Sequence, residues 1–154
     1  MNNRKQRLIL EQTDRKIKPF VPLLHMRAPA EGWAFSIRNA LNMSLRQLGK
    51  KLGVSPQAVK ALEEREKSGT ITLNSLKQIA KSMDMQLIYA MVPNDGSLEE
   101  LVDKKAMEMA KEIVNRTSQS MKLEDQENEK ARLMNSYVEK KNELKNEVPK
   151  FLWD

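Results

Sequence analysis

The chain has 154 residues, and its 27 Lys and Arg against 21 Asp and Glu give a net charge of +6. The absence of cysteine excludes disulfides, thiolate zinc sites and cysteine nucleophiles, and the single histidine, His25, excludes a histidine-rich metal site. The sequence contains no apolar run of the ~20 residues that a membrane span needs and no recognisable signal peptide, so we expect a cytoplasmic protein that does not contact membranes. The basic excess favours a polyanionic partner such as nucleic acid.

The N-terminal part of the chain combines a short helix with a proline-rich arm. Residues 4–18 have the apolar spacing of an amphipathic helix, which Pro19 is expected to end. Residues 19–32 contain three prolines and a final glycine, and we expect an irregular arm. Its apolar side chains either pack on a partner or close over the adjoining domain.

Residues 32–84 carry the boundary signals of four successive helices. Ser44 is a good N-cap for the second helix, and Gly53 is placed to end it in a left-handed conformation. Ser55 caps the third helix, with Pro56 at its first position, where proline is favoured. Thr72 caps the fourth.

Residues 85–92, MQLIYAMV, are rich in strand formers and are followed by a turn signal, which predicts a short strand. Such a strand could pair across a dimer axis, lend an edge to a partner, or pack on its own helices. Ser97 then caps a long helix, and a highly charged helix with few apolar residues follows over 120–147.

Residues 44–63, SLRQLGKKLGVSPQAVKALE, have the pattern of a helix-turn-helix. Gly49 permits close approach of the two helices, Gly53 turns the chain, and Val54 fills the corner. The alternative is an ordinary helical hairpin within a bundle. The side chains that we expect to face inward are Leu45, Leu48, Leu52, Val59 and Leu62.

The second helix of such a motif enters the DNA major groove by its N-terminal end. Gln57 is suited to hydrogen-bond an adenine edge, and Ala58 or Ala61 to contact a thymine methyl group. Lys60 is within reach of a base or a phosphate. The predicted DNA-binding residues are therefore Ser55, Gln57, Ala58, Lys60 and Ala61, with Arg46, Gln47, Lys50 and Lys51 as phosphate contacts that position the domain.

Residues 33–84 resemble the phage-repressor-like (XRE) helix-turn-helix family, whose members usually bind palindromic operators as dimers. Pro56 departs from the pattern, since some relatives have a base-reading glutamine there. A wider resemblance, to the mobile mystery protein A family, covers nearly the whole chain. It is carried by LEQTDRKIKPF, GWAFSIRNALNMSLRQLGKKLGVSPQAVKALEE, GTITLNSLKQIAKSMDMQLIYAMVP, SLEELV, MKLEDQ and the terminal LWD.

The wider family resembles antitoxins and is encoded beside a Fic-domain protein, mobile mystery protein B. Fic proteins transfer AMP from ATP to hydroxyl side chains, and their inhibitors carry the pattern Ser/Thr-x-x-x-Glu-Gly/Asn. SMKLED matches it at Ser120 and Glu124, with Asp125 where Gly or Asn is usual. The resemblance implies that Glu124 pairs with an arginine of the Fic site and prevents productive placement of the ATP γ-phosphate. Since a chain of this composition contains about one such pair by chance, an exposed pair on a helix surface is the alternative.

The expected fold is all-α: a lambda-repressor-like helix-turn-helix domain with one short β-strand and appended C-terminal helices. We expect three regions: 1–31, the N-terminal helix and arm; 32–93, the DNA-binding domain with its terminal strand; and 94–154, the toxin-binding helices with the inhibitory motif.

The expected function is that of an antitoxin that inhibits a Fic-type toxin and represses its own operon. The expected partners are that toxin and double-stranded operator DNA, in a homodimer or a toxin–antitoxin heteromer. No catalytic residue, metal or cofactor is expected. The alternative is a stand-alone repressor whose residues 97–154 serve dimerisation or bind another partner.

Overall fold

The computed structural model describes residues 3–118 and 126–154, and the described part of the chain is mainly helical. It divides into two compact units, one formed by Met1–Leu24 with Ala90–Asp154 and the other by His25–Tyr89. The all-α class is confirmed. The described α-helices are α1 Asn3–Ile17, α2 Trp33–Ala40, α3 Leu45–Leu52, α4 Pro56–Ser68, α5 Leu73–Ser82, α6 Leu98–Ser118 and α7 Gln126–Glu147.

The unit His25–Tyr89 contains α2 to α5, and its helix ends follow the predicted signals. The Ser44 hydroxyl accepts from the Gln47 backbone N–H, and the Gln47 side chain accepts from the Ser44 N–H, a complete capping box. Gly53 ends α3 with a left-handed φ of 71°. The Thr72 hydroxyl accepts from the Ser75 N–H at the start of α5. Side-chain caps therefore fix the starts of α3 and α5, as the sequence predicts.

The core of this unit is a small apolar cluster to which all four helices contribute. Leu48 and Val59 are fully enclosed, at 0% and 1% exposure, and they bring α3 against α4. Ala34 of α2, Ile79 of α5 and the following Met83 complete the buried set. The packing of this cluster holds the two helices of the predicted motif against the rest of the unit.

The predicted strand over 85–92 is wrong, because residues 85–93 adopt no regular secondary structure. The turn after α5 passes through Asp84, whose φ is 56°, and the Met85 N–H still donates to the Ala80 carbonyl at 2.8 Å. A strand is defined by its ladder to a neighbouring strand, and the described part of the chain offers none. Strand-forming composition alone therefore does not produce a strand here.

The other unit packs α1 with the pair α6 and α7. Val102, Ala106 and Ala110 line the buried side of α6, where the two alanines are fully enclosed and permit close approach of α7 and its Leu144. The C-terminal 3₁₀ helix Lys150–Trp153 closes this core with Leu152, which is 3% exposed.

The proline-rich segment is more regular than predicted, since Lys18–Leu23 forms a 3₁₀ helix that packs against α1. Pro19 lies at the start of this helix, where no backbone N–H is needed, and the fixed φ of proline suits its geometry. The expectation of an irregular arm is wrong over these residues. The functional division of the chain at residues 31 and 93 stays a prediction.

Candidate nucleic-acid interface

The corner between α3 and α4 depends on Gly49, a buried residue in the middle of α3. A Cβ atom at this position would lie 2.7 Å from the Val54 carbonyl oxygen, closer than real Cβ contacts occur. The Val54 N–H in turn donates to the Gly49 carbonyl at 2.9 Å. The absence of a side chain therefore allows the chain to return directly across α3, and this sets where α4 begins.

An ion pair buried between α2 and α4 holds the middle of α4 in place. Arg38 donates to both carboxylate oxygens of Glu63, from Nε at 2.5 Å and from Nη2 at 3.2 Å. The two side chains are only 11% and 8% exposed. Arg38 Nη1 also donates to the Met43 carbonyl at 2.8 Å, so this guanidinium joins α2, α4 and the segment that leads into α3. A planar guanidinium suits such a set of fixed acceptors.

A second carboxylate of α4, that of Glu66, caps the N-terminus of α2. It accepts from the Trp33 N–H at 2.7 Å and from the Ala34 N–H at 2.8 Å. Gly32 occupies the N-cap position of α2 and has no side chain with which to satisfy these donors. Glu66 therefore supplies the acceptor from another helix, and its negative charge suits the positive end of the α2 dipole.

Sequence reasoning missed both carboxylates. They are three residues apart on one helix, so they share a face, and that face turns inward against α2. The sequence signal for Glu66 is the start of α2 at Gly32, which has no capping side chain and requires an acceptor from elsewhere in the chain.

The N-terminal half of α4 presents the predicted base readers at the surface. Gln57 and Lys60 are exposed, and Ala58 and Ala61 are half-buried beside them. The exposed Ser55 hydroxyl accepts from the Ala58 N–H at 3.1 Å, so its oxygen caps α4 while its O–H proton can still be donated. These five residues occupy the cap and first two turns of α4.

The predicted phosphate contacts lie on the exposed side of α3. Arg46, Gln47, Lys50 and Lys51 are exposed, and no carboxylate in residues 3–118 or 126–154 forms an ion pair with any of the three cations. Gln47 uses its Oε1 in the capping box, at 2.8 Å from the Ser44 nitrogen, which leaves its amide N–H₂ as a donor. Each of the four side chains thus has donors that could reach an anionic backbone.

The charge of the unit His25–Tyr89 is strongly positive. Residues 25–89 contain ten Lys and Arg and five Asp and Glu, so they account for +5 of the whole charge of +6. Three of the five carboxylates already have cationic or N–H partners within the unit: Glu31 with Lys67, Glu63 with Arg38, and Glu66 with the start of α2. The cations of α3 and Lys60 therefore dominate the surface around the start of α4.

The predicted inhibitory residues Ser120, Glu124 and Asp125 lie outside the described residues. Within the described ones, no group of three His, Asp or Glu side chains is arranged to hold a metal ion. None of the described helices combines the length and apolar character that crossing a bilayer requires.

Comparison with known proteins identifies the DNA-binding motif but not a full-length relative. Residues 36–89, about a third of the chain, match a family model described as helix-turn-helix. Neither a curated protein nor a solved structure matches the chain significantly. The matched residues include the complete α3–α4 corner and both carboxylates that orient α4. Residues 36–89 are therefore an XRE-like helix-turn-helix domain, the kind of domain that DNA-binding transcriptional regulators carry.

Proposed function

We propose that the protein is a transcriptional repressor that binds a palindromic operator as a dimer and reads it with the N-terminal half of α4. The observation that carries this proposal is the exposed Gln57 and Lys60 on a helix that the Arg38–Glu63 ion pair fixes to the core. A rigidly held helix end with a bidentate amide is suited to read base edges. The cations of α3 then supply the phosphate contacts that set its orientation.

The test is binding of the full-length protein to duplexes from the promoter region of its own gene, measured by fluorescence anisotropy. Gln57→Ala should weaken binding to the preferred duplex by about 1–3 kcal/mol and relax specificity at one base pair. Lys60→Ala should weaken binding as well. Gln78→Ala and Lys81→Ala, the same changes on the exposed side of α5, are the controls. Unchanged affinity and specificity in both α4 variants would refute the assignment of base readers.

We further propose that the protein is the antitoxin of a Fic-type AMP-transferring toxin and inhibits it without catalysing a reaction itself. The support is the resemblance across the chain, the match of SMKLED to the inhibitory pattern, and a second compact unit that DNA reading does not require. That unit also exposes apolar side chains four residues apart on α7, Met134 at 54% and Val138 at 38%. Such a pair lies on one helix face and is suited to contact a partner helix.

In this proposal Glu124 supplies the inhibitory carboxylate, Ser120 helps to fix its helix, and Asp125 takes the third position of the pattern. A carboxylate held against an arginine fork forms a bidentate pair and occupies the place of a phosphate. Because phosphoryl and nucleotidyl transfer depend on exact phosphate positions, a displaced γ-phosphate stops the reaction while the enzyme stays folded.

The test is AMP transfer from labelled ATP by the Fic protein encoded beside this gene. Wild-type protein should suppress transfer, Glu124→Gly should bind the Fic protein without suppressing it, and Glu129→Gly should behave as wild type. Equal suppression by wild type and Glu124→Gly would show inhibition by occlusion and would refute the role of Glu124. Failure of the wild-type protein to bind the Fic protein would favour the alternative, a stand-alone repressor whose residues 97–154 dimerise or bind another partner.

A further inference from the structure

The segment Met85–Val92 has an unusual backbone for a chain that otherwise consists mainly of helices. No hydrogen bond joins the backbone N–H or C=O groups of Gln86–Val92 to any described residue. Every residue of the segment has a negative φ, as a strand requires. The backbone is therefore free to form a ladder, but the described part of the chain provides no second strand.

Apart from Gln86, the side chains of this segment are apolar or aromatic, and most of them are exposed. Ile88 is 70% exposed, Tyr89 61% and Met91 83%, and the eight residues include no charged side chain and no proline. Natural proteins usually protect an unpaired strand edge with charges, prolines or a covering element. Because Met85–Val92 has neither charges nor prolines, we expect another element to cover its edge.

A groove of about 350 Å³ lies beside Met85–Ile88, within the unit His25–Tyr89. Trp33 and Ile37 of α2 and Leu76 of α5 line it together with Leu87 and Ile88. Trp33 is 52% exposed although its side chain is large and apolar, whereas Leu87 is partly covered. Leu87 thus packs against the helices, while apolar surface of Trp33 and Ile88 remains open beside it.

We propose that Met85–Val92 pairs antiparallel with the same segment of a second copy of this chain, and that the resulting two-stranded ribbon is the dimer interface. A two-fold axis perpendicular to such a ribbon places residues of equal parity on the same face. Met85, Leu87 and Tyr89 of both copies then share one face of the ribbon, with Met85 and Leu87 of each copy against its own groove. Because the segment is uncharged, two copies meet without repulsion, and each satisfies the N–H and C=O groups on the facing edge of the other.

The groove also explains why the ribbon would be stable. An isolated two-stranded ribbon is marginal in water and needs an apolar surface to pack on. The grooves between α2 and α5 provide one on each copy. This dimer deepens the proposed function, because a palindromic operator requires two copies, but the unpaired backbone and the apolar surface favour it independently of DNA binding.

The mass of the full-length protein, measured without DNA by sedimentation equilibrium, tests the dimer. We expect about twice 17.8 kDa for the wild-type chain. Ile88→Pro and Tyr89→Pro remove the N–H donors of adjacent residues, which point to opposite edges of a strand, so one of the two should give a monomer with unchanged helix content. Neither donor bonds to any described residue. Ile88→Thr and Tyr89→Thr retain the donors and should remain dimers. A monomeric wild-type protein, or a dimer that survives both proline changes, would overturn the proposal.

A cysteine scan tests the register, since the natural chain has no cysteine. Single cysteines at positions 86 to 90 are oxidised one at a time, with Asn74→Cys on α5 as the control. The residue on the axis faces its own copy at roughly 4.5–5.5 Å between Cα atoms, within the range that a disulfide spans. A residue next to the axis is offset from the same residue of the other copy by about 7 Å along the strand. We expect one sharp maximum of cross-linking, at Ile88 if this residue lies at the centre.

The possible outcomes separate the dimer from DNA binding. A flat cross-linking profile in a dimeric protein would refute strand pairing and place the interface elsewhere. A monomer that binds one operator half-site would refute the pairing and leave DNA reading intact. A strand-paired dimer that ignores operator DNA would confirm the pairing and refute the proposed function.

Discussion

At the scale of single residues, two glycines four residues apart illustrate two different physical requirements. Gly49 is helical and needs space, because the Val54 carbonyl oxygen occupies the position next to its absent Cβ. Gly53 has open space around it, with nothing within 4 Å of a Cβ, but its φ is 71°. One glycine is required by packing and the other by backbone conformation.

We expect Gly49→Ala to destabilise the unit His25–Tyr89 by about 2 kcal/mol, since the clash with backbone outweighs the better helix propensity of alanine. Gly53→Ala should cost about 1 kcal/mol, the strain of a left-handed non-glycine residue. Urea unfolding followed by Trp33 fluorescence in a Trp153→Phe background reports on this unit. A Gly49→Ala protein as stable as wild type would contradict the close approach.

Asp103 on α6 is the described residue whose ionisation is clearly coupled to the fold. Burial raises the pKa of its carboxyl group, but hydrogen bonds and charges from Lys145 and Lys141, each with Nζ at 3.3 Å, outweigh burial and lower that pKa below its ordinary value of 3.8. Since the folded-state pKa is depressed, the stabilisation is present above pH 3.8 and is lost as the pH falls through the folded-state pKa.

We therefore expect Asp103→Asn to lower the stability of its unit at neutral pH and to have a smaller effect at pH 2.5. The effect at neutral pH should be about 0.5 kcal/mol, because the carboxylate is 38% exposed and solvent screens the pair. Trp153 fluorescence in a Trp33→Phe background follows this unit during urea unfolding. A difference that stays constant between the two pH values would contradict the ion-pair explanation.

At the scale of secondary-structure elements, helix starts receive acceptors from other helices, in place of a missing side-chain cap at α2 and in addition to the Ser97 hydroxyl at α6. Glu66 of α4 caps α2, and Asp14 of α1 accepts from the Leu98 and Glu99 N–H groups at the start of α6, at 2.7 and 3.1 Å. Both contacts join residues more than thirty positions apart in sequence. Caps of this kind fix the packing angle of two elements as well as satisfying the helix end.

Asp14→Ala should destabilise the unit Met1–Leu24 with Ala90–Asp154 by about 1–2 kcal/mol, because two N–H donors and the α6 dipole lose their acceptor. Asp14→Asn retains one acceptor without the charge and should lose about half as much. Gln12→Ala, an exposed change on the same helix, is the control. If Asp14→Ala and Gln12→Ala unfold at the same urea concentration, the cap contributes nothing.

Local signals predict elements that are stabilised locally and fail for elements that need distant partners. Ser44, Gly53 and Thr72 act within one turn of their own helix, so the sequence pattern identifies α3 and α5. The Arg38–Glu63 pair depends on how α2 packs on α4, which no local pattern encodes. Met85–Val92 has the composition of a strand, but the ladder that would make it one is absent from the described part of the chain.

At the scale of the whole molecule, the positive charge is concentrated in one of the two units. The unit His25–Tyr89 carries +5 of the +6, while α6 and α7 balance their many charges in pairs such as Lys145 with Asp103 and Glu99. A helix-turn-helix domain that neutralises phosphates releases counterions from the duplex, and this makes its affinity depend on salt. The DNA-binding site could be predicted from sequence because its motif is continuous. The charge of the surrounding surface could not, because it depends on the partners that Glu31, Glu63 and Glu66 find in the folded unit.

The salt dependence of DNA binding should therefore follow the cations of α3 and be independent of those on α6. Lys50→Ala and Lys51→Ala should each reduce the slope of log affinity against log salt by about 0.9, the contribution of one phosphate contact. Gln57→Ala should change affinity and leave the slope unchanged, because a base contact displaces no counterion. Lys111→Ala, an equal loss of charge on α6, is the control. If Lys111→Ala alters the slope as much as Lys50→Ala, phosphate contact extends to the second unit and α3 is not the positioning helix.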